Sequence, residues 1–307
     1  MPKTLQELFV DRTRQCEAFR KMLDGRSRRR IMVLTAGPGM GKSWLLQIFA
    51  QEARNRKLPL AQIDFADGLA YDALLLMRRC RDALGAQHFN ALTQAINEAT
   101  TARLALTTDG GAPAPTVSVS IGPESALADS PVSVSEVGTI VKDNYFVIQT
   151  DNPLIRQAIE DRINTAFFDC VVRLCAQTMM VLLFDSYERT SLEADRWSPS
   201  AADRWISGQL LARIRSGEIT NAVVVLAGRR APEFGVEWNE VLGRMSLEPL
   251  ECADITEYLR VRRGLTVLTD AEATRLCQAV GGSPQVLGLI GDNLEQANRP
   301  RAQDDEW

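Results

Sequence analysis

The sequence predicts an α/β fold with a parallel β-sheet, a small helical lid at its C-terminal end and an inserted segment rich in Ser, Gly, Pro and Val. Three short runs, 31–35 (IMVLT), 179–185 (MMVLLFD) and 222–228 (AVVVLAG), are continuously apolar, which is typical of parallel strands buried on both faces. Segments with helical periodicity separate these runs, and the pattern becomes wholly helical after Pro249. Strands that alternate with helices indicate βαβ units.

The composition is that of a globular protein with no global attraction to polyanions. The 307 residues are 45% hydrophobic and 24% charged, and the formal net charge is -4. These values argue against wholesale disorder and against a general affinity for nucleic acid or anionic membranes. The longest apolar runs fall far short of the roughly 18–20 residues of a membrane span, and the N-terminus lacks a signal-peptide stretch. We therefore expect a cytoplasmic protein without a membrane segment.

The cysteines and the single histidine exclude several kinds of site. The six cysteines form no Cys-x-x-Cys pair and are scattered over positions 16, 80, 170, 175, 252 and 277. This spacing favours buried thiols of a cytosolic protein over a disulfide framework or a zinc site. His88 is the only histidine, which also weakens any Ser–His or Cys–His nucleophile.

The N-terminal elements fit the start of a βαβ unit. Helical spacing, a strand, a glycine-rich turn, a helix and a second strand follow one another, and Asp64 lies at the end of that second strand. Leucines and methionines then repeat at helical spacing. The predicted elements are a helix over 5–24 that stops at Gly25, a strand over 31–35, a helix over 43–57, a strand over 60–65 and helical structure over 68–106.

Residues 107–150 are expected to form an insertion that stands away from the core. No Lys or Arg occurs between Thr107 and Val141, and Ser, Gly, Pro and Val dominate the segment. The alternating stretches VSVSIG and VSVSEVG are compatible with two short strands. Two interpretations remain open at this point, an arm that contacts a partner and a tolerated loop excursion.

The C-terminal half supplies the remaining strands and the lid. The predicted elements are an amphipathic helix over 153–177, the strand that ends at Asp185, a helix over 201–216, the strand 222–228, a short strand within 244–250 and helices over 253–264, 269–282 and 284–297. The predicted domain bounds are 1–249 for nucleotide binding and 250–298 for the lid, followed by a flexible tail over 299–307.

The segment TAGPGMGKSWLL, residues 35–46, carries the phosphate-binding signature between a strand and a helix. The P-loop pattern requires Gly, four residues and Gly-Lys-Ser/Thr; Ala36 occupies the first position, and Gly41, Lys42 and Ser43 complete the pattern. Such a loop directs its backbone N–H groups at phosphate oxygens. We expect Lys42 to reach the β and γ phosphates and Ser43 to ligate Mg²⁺. The residues assigned to nucleotide binding here are Gly37, Pro38, Gly39, Met40, Gly41, Lys42, Ser43 and Trp44.

Acidic and basic residues at the ends of the other strands complete a candidate catalytic set. Asp185 ends a strand expected beside the P-loop strand, the position of a Walker B aspartate that holds Mg²⁺. A strand-terminal aspartate that caps the next turn is the alternative. The commonest arrangement places a second acid directly after this aspartate, but that position is Ser186. Glu188 is therefore the candidate base that activates water, and a surface glutamate paired with Arg189 is the alternative.

The strand 222–228 is followed by two arginines. A cation at this strand end is expected to lie near the γ phosphate, so Arg229 is assigned to sensing it and Arg230 to a supporting role. A solvated arginine pair is the alternative. The assigned catalytic residues are thus Lys42, Asp185, Glu188 and Arg229, and the assigned metal ligands are Ser43 and Asp185.

In combination, these motifs resemble the STAND class of signal-transducing P-loop ATPases, which includes NACHT and apoptotic-ATPase-like switches. The segments LLFDSYER and VVVLAGRRAPEF, with Trp238 beyond, are similar in order and spacing to bacterial members with an Asp-x-x-Glu version of Walker B. FVDR looks like the class's N-terminal motif near the adenine, of which Arg12 alone carries over. VGGSPQVLGLI resembles the lid turn that approaches the nucleotide, matched by Gly282 and Pro284.

The resemblance implies a slow Mg²⁺-dependent ATPase that works as a switch in bacterial defence or stress signalling. Its nucleotide state would control self-association or a partner effector or sensor protein. The class's winged-helix domain and sensor repeats have no counterpart in these residues, so the chain is expected to be a module of a longer protein or to have partner domains on another chain. GTP is not expected because the sequence lacks an Asn-Lys-x-Asp motif.

Two other functions remain open from the sequence. The run RSRRR at 26–30, with Arg12, Arg14, Arg20 and Lys21 upstream, is compatible with a nucleic-acid-directed ATPase such as a loader or transposition regulator. The absence of an acid directly after Asp185 is compatible with a nucleotide-binding module that does not hydrolyse.

Overall fold

The computed structural model describes residues 10–106, 153–265 and 268–297. The chain divides into two compact units, the first made of residues up to Leu84 and from Leu174 onward, the second of Gly85–Arg173. The strands predicted within 107–150 and the tail predicted over 299–307 lie outside the described residues.

The first unit contains a five-stranded sheet, its flanking helices and the helices of the lid. In chain order its elements are α1 (Thr13–Leu23), β1 (Ile31–Thr35), α2 (Lys42–Asn55), β2 (Leu60–Asp64), α3 (Ala73–Leu84), β3 (Met180–Asp185), a 3-10 turn (Tyr187–Thr190), α6 (Ala201–Trp205), a π-helical segment (Ile206–Leu211), α7 (Ala212–Ser216), β4 (Ala222–Gly228), a 3-10 turn (Val236–Trp238), β5 (Leu242–Ser246), α8 (Cys252–Glu257) with a π-helical continuation (Tyr258–Arg262), α9 (Asp270–Val280) and α10 (Pro284–Ala297).

The second unit is helical. It contains a 3-10 turn (Ala86–Phe89), α4 (Asn90–Leu106) and most of α5 (Pro153–Gln177), whose last residues belong to the first unit. The rings of Phe89 and Phe167 stack with centroids 5.6 Å apart. Glu98 on α4 forms an ion pair with Arg162 on α5. Among the described residues of the chain, no helix is long and apolar enough to cross a membrane.

All five strands are parallel, in the order β2-β3-β4-β1-β5. The strands β1, β3 and β4 are almost completely buried, as their continuous apolar composition predicts. One expectation was wrong: β3 does not lie beside β1, because β4 occupies that place. The carboxyl ends of parallel strands still share one edge of the sheet, so Asp185 ends on the same edge as Thr35.

The main core lies between the sheet and helices α1 and α2. Phe19 of α1 stacks on Phe49 of α2 with ring centroids 4.1 Å apart, and both rings are almost fully buried. Leu45 and Leu46 are completely buried on the sheet side of α2. This packing fixes the helix that follows the P-loop, and therefore the direction in which the helix's N-terminus points.

Two predicted helices differ from the structure. Within the described residues, the helix predicted over 5–24 runs over Thr13–Leu23, because Asp11 and Arg12 have φ values of 58° and 66° that interrupt helical geometry; residues 5–9 lie outside the described residues. The helical segment predicted over 68–106 is interrupted at Gly85, where φ is 106°. Both breaks depend on positive φ angles at one or two residues, and hydrophobic periodicity does not reveal such angles.

The lid has its own apolar cluster and a disulfide bond. Ile255 and Leu259 are completely buried there, together with Tyr258. Cys252 at the start of α8 is bonded to Cys277 on α9, with Cα atoms 5.4 Å apart, a separation typical of disulfides. The expectation of buried free thiols was therefore wrong for this pair, because the fold brings together residues 25 positions apart. It agrees with the structure for Cys16, Cys80, Cys170 and Cys175, which are buried and free.

Candidate nucleotide-binding site

The P-loop connects β1 to α2 at the carboxyl edge of the sheet. Gly39 and Gly41 have φ values of 73° and 84°, left-handed conformations that residues with a Cβ rarely adopt. The Lys42 Nζ donates hydrogen bonds of 2.8 Å to the carbonyl oxygens of Ala36 and Gly37. The 14-residue helix α2 begins at Lys42, so its positive N-terminal end faces the loop. This strand–loop–helix geometry suits bound phosphates.

Ser43 and Asp185 meet beside the P-loop. The Ser43 hydroxyl lies close enough to the Asp185 carboxylate to lower its pKa, and the Ser186 N–H donates to Asp185 Oδ1 over 2.8 Å. Asp185 is only 5% exposed, and this burial raises the pKa of its carboxyl. The hydroxyl, the N–H bond and the Lys42 charge oppose that rise in pKa, whereas Asp64, opposite Asp185 on β2, adds to it.

The donor set of this pair fits Mg²⁺. A hydroxyl and a carboxylate are hard oxygen ligands, which Mg²⁺ prefers over nitrogen and sulfur. The described part of the chain contains no group of three or more His, Cys, Asp or Glu side chains that could form an all-protein metal cage.

Lys42 lies in an electrostatic group with the other assigned catalytic residues. Burial lowers the pKa of Lys42, the carboxylates of Glu188 and Asp185 raise it, and Arg229 lowers it. The fold therefore brings together the ends of three different strands of the sheet. The sequence placed these four residues in one site, and in the structure the other three lie within electrostatic range of Lys42.

Glu188 is held by Arg229 rather than by Arg189. The Arg229 backbone N–H donates to Glu188 Oε2 over 2.9 Å, and the Arg229 Nε lies 3.4 Å from Glu188 Oε1. A Cβ added at Gly228 would lie 2.9 Å from the same carboxylate oxygen, so glycine at the end of β4 permits this close approach. The carboxylate is therefore fixed at the sheet edge that carries the P-loop.

Arg229 and Arg230 differ in their surroundings. The Arg229 side chain is 60% exposed, so its guanidinium remains accessible to a ligand while it pairs with Glu188. Arg230 donates to the backbone carbonyl of Glu193 over 3.0 Å, which directs it into the neighbouring loop. This difference favours Arg229 over Arg230 as the residue available to an anion.

A cavity of about 510 Å³ adjoins the P-loop, within the usual size range of ligand pockets. Its walls come from the P-loop, the lid and the residues that precede α1. Arg12 is 5% exposed and donates to Asp11 Oδ2 over 3.0 Å and to the Met40 carbonyl over 3.4 Å. Trp44 is 48% exposed and presents an aromatic ring to the cavity. Both residues therefore lie next to the phosphate-binding loop.

The N-terminal end of α10 rests on the P-loop. The Gln285 N–H donates to the Gly39 carbonyl over 3.2 Å, and the Pro284 ring lies beside Gly41. Gly282 makes different contacts, since a Cβ there would lie 2.5 Å from Pro249 Cβ, and its carbonyl accepts from the Leu250 N–H. Gly282 therefore closes the lid turn against 249–250, while Pro284 lines the cavity.

Several residues that line the cavity were not assigned from the sequence. They are Val10, Leu250, Tyr258, Gln285, Leu287, Gly288, Leu289 and Asp292. Gln285 could have been assigned from the sequence, because it directly follows Pro284 in the turn that was assigned to the site. For Tyr258 and Asp292 no sequence signal exists, because only the packing of the lid helices decides which of their faces points at the P-loop.

The basic run at 26–30 lies before β1, at the sheet edge opposite the P-loop. Arg30 donates to the Met22 carbonyl over 3.1 Å, and its N–H donates to the Val241 carbonyl. Arg26 lies 3.9 Å from Asp24, and Arg20 pairs with Glu52. Part of this basic charge is therefore used in structural contacts with carbonyls and acids, and the run does not contribute to the nucleotide site.

No protein-family model and no curated protein matches this sequence. Two solved structures show distant likeness. A chain of the HORMA:CdnC:Trip13 complex of E. coli MS115-1 is 12% identical, with 98% of this chain and 89% of that chain covered and a TM-score of 0.49. Cdc6p from Pyrobaculum aerophilum is 10% identical, with 97% and 67% covered and a TM-score of 0.47. The chain's own strand order and loop geometry give it the parallel-sheet core of a P-loop NTPase.

Proposed function

We propose that this protein binds ATP with Mg²⁺, hydrolyses it slowly and acts as a nucleotide-controlled switch of the STAND type. The observation that carries the proposal is the position of the buried Asp185 carboxylate, which lies within electrostatic range of Ser43 and of the P-loop residue Lys42. A buried carboxylate with a raised pKa destabilises a fold unless a ligand compensates for it, so such a group marks a candidate functional site. Mg²⁺ bound with ATP would neutralise this carboxylate.

Different groups of the site are assigned to different parts of the nucleotide. The backbone N–H groups of the P-loop and the N-terminus of α2 favour phosphate oxygens. Lys42 gives up its bonds to the two loop carbonyls and pairs with the phosphates. Mg²⁺ supplies charge neutralisation at the phosphates when it is bound. Arg12, Trp44 and Pro284 line the adjoining cavity and are assigned to the nucleoside.

Glu188 is assigned to orienting or deprotonating the attacking water. Its carboxylate is held by Arg229 and lies close enough to Lys42 to affect the lysine's pKa. The position after Asp185 holds Ser186, so no acid stands directly beside the Walker B aspartate. One carboxylate oxygen of Glu188 also accepts the Arg229 N–H bond, so it is already occupied. Both features support slow turnover, suited to a switch rather than to a metabolic enzyme.

The contact between lid and P-loop supports a switching role. The Gln285 N–H bond to the Gly39 carbonyl joins the lid to the loop that would enclose the phosphates. Any ligand that has different affinity for the joined and separated arrangements shifts the balance between them. We assign to this shift the control of self-association or of an effector or sensor protein.

Nucleotide binding is tested with Lys42→Ala. We expect ATP affinity to fall by at least about tenfold, because the loop loses the cation that pairs with the phosphates. Lys21→Ala, an exposed lysine of α1 away from the loop, is the matched control and is expected to bind as the wild type does. Calorimetric titration with and without Mg²⁺ gives the two affinities. Unchanged ATP affinity in Lys42→Ala would overturn the site assignment.

Hydrolysis is tested with Glu188→Gln. We expect phosphate release to fall about 100-fold while ATP affinity stays within a factor of about two, because a general base contributes to the chemical step alone. Glu240→Gln, at an exposed turn, controls for the loss of one negative charge. If the wild type binds ATP and releases no phosphate, the protein is a non-hydrolysing module. If Glu188→Gln hydrolyses at the wild-type rate, Glu188 is not the base.

A further inference from the structure

Asp203 is a buried carboxylate that the proposed chemistry does not use. It lies on α6, is 3% exposed, and accepts side-chain hydrogen bonds from three donors. The donors are Tyr187 Oη at 2.7 Å, Trp197 Nε1 at 3.0 Å and Ser207 Oγ at 3.2 Å. A buried carboxylate persists in a fold only when such bonds replace its hydration, so the group is a fixed anchor rather than a surface charge.

Tyr187 connects this anchor to the turn that carries Glu188. Its side chain is completely buried, and its ring stacks on Trp197 with centroids 5.9 Å apart. Phe65 packs edge-on against the same ring. The Tyr187 hydroxyl is the donor closest to the Asp203 carboxylate, at 2.7 Å.

The turn itself needs an anchor. The chain leaves β3 through Ser186, which has a φ of 53°, a left-handed conformation that residues other than glycine rarely adopt. Such a conformation persists when the surrounding contacts over-determine it. The Thr190 hydroxyl donates to the Tyr187 carbonyl over 2.8 Å, and Tyr187 is tied to Asp203. These two bonds hold both ends of the four-residue turn Tyr187–Thr190.

We propose that Asp203 is a positioning residue that, through Tyr187, fixes the turn after β3 so that the Glu188 carboxylate stays on the Arg229 N–H and close to Lys42. Asp203 itself touches neither nucleotide nor metal in this assignment. The inference rests on the proposed function, since it presumes that Glu188 acts on water. It explains why a carboxylate with three donors lies under the turn that carries the candidate base.

The test compares Asp203→Asn and Tyr187→Phe in two backgrounds, the wild type and Glu188→Gln. Tyr187→Phe keeps the stacked ring and removes the hydroxyl bond; Asp203→Asn keeps the shape and removes the charge. In the wild-type background we expect kcat to fall about tenfold or more, because a misplaced catalytic group loses rate steeply, while KM for ATP changes less than about twofold. In the Glu188→Gln background neither substitution should lower kcat further, because the group they position is already gone.

Ile206→Val is the control for stability alone. Ile206 is completely buried in the adjacent π-helical segment and carries no polar group, so this variant should lower Tm and leave kcat unchanged. If Asp203→Asn does not fold, Tyr187→Phe decides the question by itself.

Two results would overturn the inference while the proposed function stands. One is an unchanged kcat in Tyr187→Phe, and the other is an equal loss of kcat in both backgrounds, which indicates a general structural role. Wild-type turnover in Glu188→Gln is a different failure, because it removes the proposed role of Glu188 and the inference falls with it.

Discussion

At the scale of single residues, two buried carboxylates of the first unit differ in how many hydrogen bonds they accept. Asp203 receives three side-chain hydrogen bonds, a full replacement for water. Asp185 accepts a hydrogen bond from the Ser186 N–H, and its carboxyl has a raised pKa. Asp203 is therefore satisfied by the fold, whereas Asp185 keeps capacity for a cation.

Asp185→Asn is expected to stabilise the protein at neutral pH and to abolish the Mg²⁺-dependent part of ATP affinity. Asn keeps an acceptor for the bond from the Ser186 N–H, yet it does not ionise and so adds no buried charge. Thermal unfolding measured between about pH 3 and pH 8 checks the first part, and ATP titration with and without Mg²⁺ checks the second. Asp161→Asn, an exposed site on α5, is the control.

The pH dependence has a definite sign. Below the ordinary carboxyl pKa, Asp185 is protonated in the folded and unfolded states and adds no pH dependence. As the pH rises, the unfolded chain releases this proton first, because the folded-state pKa is raised. The resulting loss of stability is complete above the folded-state pKa. The Tm advantage of Asp185→Asn should thus be present at about pH 7 and vanish near pH 3. A lower Tm than the wild type at neutral pH would contradict this account.

At the scale of elements, the lid is a small helical assembly that depends on a covalent link. Its apolar cluster is modest, and α8 has only six residues before its π-helical continuation. The bond from Cys252 to Cys277 joins α8 to α9. Since Leu250, Tyr258 and Pro284 of this assembly line the cavity, the order of the lid bears directly on the nucleoside part of the site.

Replacement of both bridged cysteines by serine is expected to destabilise the lid by about 3.5 kcal/mol, the value the chain-entropy model gives for a loop of this length. Hydrogen exchange of α8 and α9 in the oxidised protein and in the double variant measures the loss. The control is Cys16→Ser, which alters a buried free thiol in the main core. Alkylation followed by mass spectrometry should find four free thiols in the oxidised protein. Detection of Cys252 and Cys277 as free thiols under oxidising conditions would refute the pairing.

At the scale of the whole molecule, the contact between α10 and the P-loop is where we expect nucleotide binding to affect the lid. A ligand that binds under the lid increases the free energy of unfolding, by about 2.7 kcal/mol at a ligand concentration of about 100 times its Kd. Under the proposed function, the same ligand would displace Lys42 from its bonds to the loop carbonyls and change the surface that Gln285 contacts. The consequences of ATP binding are thus expected to extend beyond the cavity.

Self-association is expected to depend on the nucleotide. With Mg²⁺ and ATP the mass measured by light scattering after size-exclusion chromatography should differ from the mass with ADP or without nucleotide, because the lid contact differs between these states. Lys42→Ala should show one mass under all three conditions. An identical mass for the wild type in all three conditions would leave a partner protein, rather than a second copy, as the receiver of the signal.

The fold was predictable where the physical cause is local. Continuous apolar runs indicated β1, β3 and β4, because strands buried on both faces need apolar residues at every position. The P-loop was predictable because its glycines and lysine are close in sequence. The start of α1 and the break at Gly85 were not, because a single left-handed residue leaves no periodic signal.

The features of the candidate site also differ in whether their physical cause is local in the sequence. From the sequence we predicted the phosphate-binding loop and assigned Asp185, Glu188 and Arg229 as its partners, since each follows an apolar strand whose end must lie at one edge of a parallel sheet. The tertiary structure decided that β4 separates β3 from β1, that Glu188 pairs with Arg229, and that Cys252 meets Cys277. The last two contacts join residues 41 and 25 positions apart. Only the packing of whole elements brings such residues together, and packing is a property that no local pattern encodes.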